Sequence, residues 1–69
     1  MIFYVSDKGN FCANEGDTCH CMGMVLYGKD GIWTAEREVR RSIECNNKEF
    51  GDPLPGTRKE CRCRYFYVA

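Results

Sequence analysis

Six of the 69 residues are cysteines, and four of these lie in two Cys-X-Cys pairs, Cys19-His20-Cys21 and Cys61-Arg62-Cys63. Four thiolates beside an imidazole have the donor chemistry of a zinc site. Zinc knuckles, however, usually space their cysteines about two to four residues apart, and Cys-X-Cys on a strand splays awkwardly for a tetrahedral ion. An even cysteine count in so short a chain points instead to a framework of three disulfides built from Cys12, Cys19, Cys21, Cys45, Cys61 and Cys63. His20 is the only histidine. No serine, thiolate or carboxylate partner is indicated for it, so it lacks the setting of a general base. Glu15/Asp17 and Asp30/Asp52 have the residue types of a glycosidase dyad, yet a domain of this size has little room for a deep catalytic cleft. Asp7, Asn10, Asn14, Glu15 and Asp17 fit turn chemistry better than a calcium loop. The chain is therefore expected not to be an enzyme and to need no metal and no cofactor.

Recognition suits the remaining residues better. Trp33, Tyr27, Tyr65 and Tyr67, with Phe66, exceed what a disulfide-held core strictly requires. Exposed rings can stack on sugar rings, and nearby Asn46, Asn47, Asp52 and Arg58 can hydrogen-bond hydroxyls. Trp33, Tyr27, Asn46, Asn47, Arg58, Tyr65 and Tyr67 form the candidate ligand-binding set. The competing use of each aromatic is as core.

Charge narrows the partner. Ten basic and ten acidic residues cancel. Residues 1–34 carry two Lys against four acids, and residues 35–69 carry eight Lys or Arg against six acids. Acids interleave with Arg37, Arg40, Arg41, Arg58, Lys59, Arg62 and Arg64, which describes a solvated mixed surface and not a nucleic-acid stripe. Zero net charge also disfavours membrane lysis. No apolar run is long enough to span a membrane, and Met1–Val5 has neither the basic leader nor the apolar core of a signal peptide. Stable disulfides imply an oxidising compartment, so a secreted or extracellular protein is expected. One domain over residues 1–69, monomeric or weakly oligomeric, completes the expectation.

These residues need elements to hold them. Ile2-Phe3-Tyr4-Val5 reads as a strand ending in the turn cluster Ser6–Asn10, with a short second strand at Phe11-Cys12-Ala13. Asn14–Asp17 reverses the chain, and an apolar run follows from Cys19 to Tyr27. Asp30-Gly31 is a type I′ hairpin signal that places Tyr27 opposite Thr34 and Gly28 opposite Trp33, leaving room for the indole to lie across the strand. Residues 34–44 fit either a helix capped by Thr34 or a strand, and strand is preferred because the flanking elements are β. Cys61–Val68 is a terminal strand with Cys61, Cys63, Tyr65 and Tyr67 on one face and Arg62, Arg64 and Phe66 on the other. Its aromatic end matches Phe3-Tyr4, so the two termini are expected to pair.

Between Cys45 and Cys61 runs a stretch without helical or strand period. In Phe50-Gly51-Asp52-Pro53-Leu54-Pro55-Gly56, Pro53 pushes Asp52 into extended geometry and Pro55-Gly56 fits the centre of a type II turn. The middle of this loop reads as architectural, with Phe50 entering the core. Its shoulders, Asn46-Asn47 and Arg58-Lys59, stay available for contact.

The frame Cys12-x6-Cys19, Tyr27-Gly28-x-x-Gly31-x-Trp33, then Cys45-x-Asn47-x-x-Phe50-Gly51-Asp52-Pro53-x-Pro55-Gly56-x-x-Lys59-x-Cys61 resembles a small extracellular module. That module occurs alone or appended to secreted bacterial hydrolases and invertebrate extracellular proteins. The resemblance implies a common cysteine set at Cys12, Cys19, Cys45 and Cys61, with Cys21 and Cys63 as additions here. It thereby implies the bridges Cys12–Cys19, Cys45–Cys61 and Cys21–Cys63. The expected fold is all-β, a small disulfide-rich sandwich or Greek-key domain of about five to seven short strands. The expected function is lectin-like recognition of an extracellular glycan or cell-surface ligand. The alternative is a host-defence or toxin-like effector or inhibitor acting on a protein or microbial surface.

Overall fold

Asp30 and Gly31 take φ values of 50° and 83°, the two left-handed residues that a two-residue type I′ turn demands. The turn joins β4 (Gly23–Lys29) to β5 (Ile32–Trp33), with Lys29 opposite Ile32 and Gly28 opposite Trp33. Thr34 N–H donates to the Tyr27 carbonyl at 2.9 Å. Tyr27 N–H in return donates to Thr34 Oγ1 at 3.2 Å. The register is the one the sequence implies, but the need for glycine at position 28 has a different cause. A Cβ there would stand 1.9 Å from the Ile32 carbonyl oxygen. The returning backbone requires the space, not the indole.

The computed structural model describes the backbone of residues 2–4 and 9–68 and the side chains of residues 9–66. The turn expected over Ser6–Asn10 lies largely outside the described residues, as does the side chain of Tyr67.

A nine-residue strand, β8 (Glu60–Val68), is the spine. On one side it pairs antiparallel with β4, from Gly28↔Glu60 to Gly23↔Tyr65. Its other side pairs first with β2 (Asn10–Asn14) and then with β1 (Ile2–Tyr4), so the termini meet as expected. The far edge of β4 takes β6 (Arg37–Val39), through Gly23↔Val39 and Val25↔Arg37. A second sheet pairs β3 (Thr18–His20) with β7 (Ser42–Glu44). Residues 34–44 are thus β and not helix. Eight strands appear among the described residues, in place of five to seven, because the apolar run from Cys19 and the 34–44 segment each cross from one sheet to the other.

Alternation on the paired strands decides the core. Val25 and Tyr27 of β4 and Cys61 and Cys63 of β8 are fully buried, joined by Ala13, Cys19, Cys21, Val39 and Cys45. Five of these nine core residues are half-cystines. So thin an apolar core needs covalent ties. The ties are Cys12–Cys19, Cys21–Cys63 and Cys45–Cys61, and they bind the small sheet and its flanks to the large one. No cysteine remains free, so the thiolates that zinc would need are all committed to S–S bonds.

On the opposite face of the large sheet, Met24 and Leu26 lie beside Arg64 and Arg62. These arginines are held in ion pairs, Arg62–Glu60 at 3.0 Å and Arg64 with Glu36, and Lys29–Glu60 at 3.2 Å joins the same network. Among the described residues no helix is long and apolar enough to cross a membrane.

Candidate functional site

The stretch after Cys45 holds one helical turn that no periodicity revealed, α1 (Asn47–Phe50). Its signal is a cap: the Asn46 side chain accepts from Glu49 N–H at 2.9 Å, the Asn-x-x-Glu spacing of a capping box. Gly51 closes it at φ 81°. The chain then makes an Asx turn, with Asp52 Oδ1 accepting from Leu54 N–H at 3.1 Å. A type II turn over Leu54–Thr57 follows, with Gly56 at φ 82° and Thr57 N–H donating to the Leu54 carbonyl at 3.2 Å. The proline-glycine pair therefore does what its chemistry implies.

Lys59 holds this loop against the β2–β3 turn. Its side chain is 2% exposed. The ammonium reaches Asp52 Oδ1 at 3.0 Å and Glu15 Oε1 at 3.3 Å. It also donates to the Thr57 and Leu54 carbonyls at 2.7 and 3.2 Å. Glu15 Oε1 accepts from Lys59 N–H at 2.8 Å as well, and the Glu15 N–H donates to the Lys59 carbonyl at 2.9 Å. A buried ammonium would ordinarily lose its proton more readily. Here the Asp52 and Glu15 carboxylates outweigh that effect and raise its pKa.

A cleft of about 430 Å³ opens where these pieces meet, lined among others by Glu15, Asn47, Asp52, Thr57, Arg58 and Lys59. Tyr27 orients one wall. Its hydroxyl donates to Asn47 Oδ1 at 2.5 Å, which leaves both amide hydrogens for an outside acceptor. The Tyr27 ring stacks on Phe50 with centroids 5.0 Å apart, and half-buried Phe50 thus joins the core edge as expected. Arg58 is exposed. Among the described residues its guanidinium makes one hydrogen bond, to the Glu15 carbonyl at 3.4 Å, and has no carboxylate partner.

The expected ligand-binding set divides here. Asn47 and Arg58 come together in the cleft. Tyr27 is fully buried and cannot meet a ligand with its ring. Asn46 is half-buried and spends its side chain on the helix cap. Trp33 is half-buried, with its indole N–H buried and unpartnered, and it pairs with Gly28 away from the cleft. Tyr65 is 45% exposed but stands opposite Gly23. Six residues of strand separate it from Lys59, roughly 20 Å at the usual rise. The groove beside the Cys45–Cys61 loop therefore exists but is polar, not aromatic. Asp52, expected to be able to hydrogen-bond hydroxyls, lines the cleft, and Glu15, read mainly as a turn residue, is brought there by the fold. Lys59, expected on a shoulder that stays available for contact, is instead buried and spent on the Glu15 and Asp52 carboxylates.

A second open groove of about 420 Å³ runs between β6 and β7. Its charges satisfy each other: Arg37 with Glu49 at 3.2 Å, Arg40 with Glu38 at 2.8 Å, and the Thr18 hydroxyl with Glu44 at 2.8 Å. The loop-side cleft is the one with unspent donors. No group of three or more His, Cys, Asp or Glu side chains arranged to hold a metal ion occurs among the described residues.

Acid should loosen this end of the molecule. The Lys59 backbone N–H holds the Glu15 carboxyl below its ordinary 4.5, despite partial burial. Burial works to raise Glu60, but hydrogen bonds from Arg62 and Lys29 prevail and lower it. Carboxyls depressed in the folded state stabilise it fully above their unfolded pKa, and that contribution fades as pH falls through the folded value. The melting temperature should hold between pH 7 and 5 and drop below about pH 4.5. Thermal melts of Glu15→Gln should show a visibly flatter acid limb, and an unchanged limb would remove Glu15 as a cause.

Fold and cleft together define a class: a small β domain of two sheets, stapled by three cystines, with a polar cleft at its loop end. No protein-family model matches the chain, and no curated protein or solved structure matches it.

Proposed function

We propose that this protein is a secreted, non-catalytic recognition domain that binds carbohydrate or a glycan-bearing surface through the loop-side cleft. The observation that carries the reading is the meeting of Asn47 and Arg58 in one cleft, with unspent donors on a scaffold locked by Cys45–Cys61 and the Tyr27 hydroxyl. Preorganised donors lose little entropy on binding, which suits a polyhydroxyl ligand that must exchange water for protein hydrogen bonds. Three disulfides fit an oxidising setting outside the cytosol. The resemblance to a module appended to secreted hydrolases supports an extracellular ligand of this kind.

Affinity electrophoresis and pull-down on a panel of soluble and insoluble polysaccharides test this. Retention by at least one, lost in the Asn47→Ala/Arg58→Ala double variant that still melts cooperatively, is the expected result. A native protein that no polysaccharide retards would end the proposal.

A second reading, an effector or inhibitor acting on a protein or microbial surface, draws on Phe11, Met22, Ile32 and Tyr65, each about half exposed. They sit on separate elements: Phe11 of β2 stands opposite Arg62 of β8, and Tyr65 lies three residues further along β8, opposite Gly23. Growth inhibition or capture of a defined protein target, without retention by any polysaccharide, would favour it.

A further inference from the structure

The cleft carries acceptors as well as donors, and their arrangement selects among sugars. Lys59 engages Oε1 of Glu15 and Oδ1 of Asp52. The Lys59 and Leu54 N–H groups also fall on Oε1 and Oδ1, which leaves lone pairs of Oε2 and Oδ2 as acceptors, with the Tyr27 hydroxyl close to the Glu15 carboxylate. Opposed to these acceptors are the Asn47 amide hydrogens and the Arg58 guanidinium. Two carboxylates against one ammonium and one guanidinium leave the cleft without net charge. A carboxylate or sulfate on the ligand would gain Arg58 but also meet Glu15 and Asp52. A hydroxyl can both donate to a carboxylate and accept from an amide, so a pair of adjacent hydroxyls satisfies both walls at once.

We propose that the cleft binds an uncharged sugar residue edge-on, with adjacent hydroxyls donating to Glu15 and Asp52 and accepting from Asn47 and Arg58. This rests on the carbohydrate reading above, adds Glu15 to the ligand contacts and gives Asp52 a defined partner in them. Among the described residues no aromatic platform lines the cleft: Tyr27 is sealed beneath it and Tyr65 stands further along β8. Selectivity comes from hydrogen bonds, so binding has little of the salt dependence of a charged partner.

The test measures binding of the intact, oxidised protein to galactomannan and dextran as neutral probes and to alginate and polygalacturonate as acidic ones, from low salt to about 0.5 M NaCl. A neutral probe should bind with less than about a twofold change over that range. Asn47→Asp keeps the acceptor for Tyr27 and removes the donors, while Asp52→Asn keeps the acceptor for Leu54 N–H and removes the charge. Each should weaken binding about tenfold or more, the usual cost of a lost charge-assisted hydrogen bond. Both are read on protein whose near-UV spectrum matches the native one. Binding of acidic probes alone, falling steeply with salt, would overturn this inference and leave the carbohydrate reading standing. So would neutral binding that both variants retain. Failure of every polysaccharide to bind would overturn both.

Discussion

Replacing Cys21 and Cys63 together by alanine lowers the unfolding free energy by about 3–4 kcal/mol, the largest loss expected from removing any one bridge. The bond closes a span of 42 residues, so cutting it releases the widest set of unfolded conformations. The Cys45–Cys61 span of 16 lies within it, which keeps the effect below that of an isolated loop of this length. Both half-cystines belong to the buried core, so their loss also leaves a void in the cluster. Urea unfolding checks this. The midpoint should fall and the denaturant slope should rise, because a less cross-linked unfolded chain exposes more surface. The same double substitution at Cys12 and Cys19, a span of 7, should cost about 2 kcal/mol by the same relation. An equal loss at both sites would show that chain entropy is not what these bonds supply.

Tyr27→Ala should cost about 4 kcal/mol, since Tyr27 is the largest fully buried side chain and its removal opens a void facing Phe50 and Lys59. Tyr27→Phe separates packing from polarity. It keeps the ring and removes the hydroxyl that donates to Asn47 Oδ1, at about 1 kcal/mol. Its functional effect is expected to be greater than its effect on stability. The Asn47 amide would then rotate freely, so polysaccharide retention should weaken in a protein that still folds. Urea unfolding and affinity electrophoresis on the same two variants check both halves. Tyr27→Phe with native retention would show that the hydroxyl does not orient the site.

Much of the architecture was legible because local chemistry and strand alternation decide it. Asp30-Gly31 could only turn one way, and Pro55-Gly56 placed a type II turn without help from the rest of the chain. The paired termini and the Cys61/Cys63 face of the last strand followed from period two. The α1 turn was not legible from period, because four residues are too few to show one; only the Asn46-x-x-Glu49 cap announces it. The choice between helix and strand over residues 34–44 was likewise settled from outside, by β4 on one side and β3 on the other.

The candidate site was legible only in part. That Asn47 and Arg58 flank the locked loop is a fact of sequence, and their meeting in one cleft follows from the Cys45–Cys61 closure. Exposure of the aromatics is different in kind. Whether a tyrosine is core or surface depends on which strand lies across it, and Tyr27 and Tyr65 differ in burial although both lie on the face of the sheet that carries the core. The sequence alone determined a cystine-held β domain, its hairpin and its loop turns, because these rest on residue chemistry and short-range geometry. Tertiary structure alone decided that Lys59 clamps Glu15 to Asp52 and that the cleft beside it is polar, because Glu15 and Lys59 are brought together by chain closure and not by spacing.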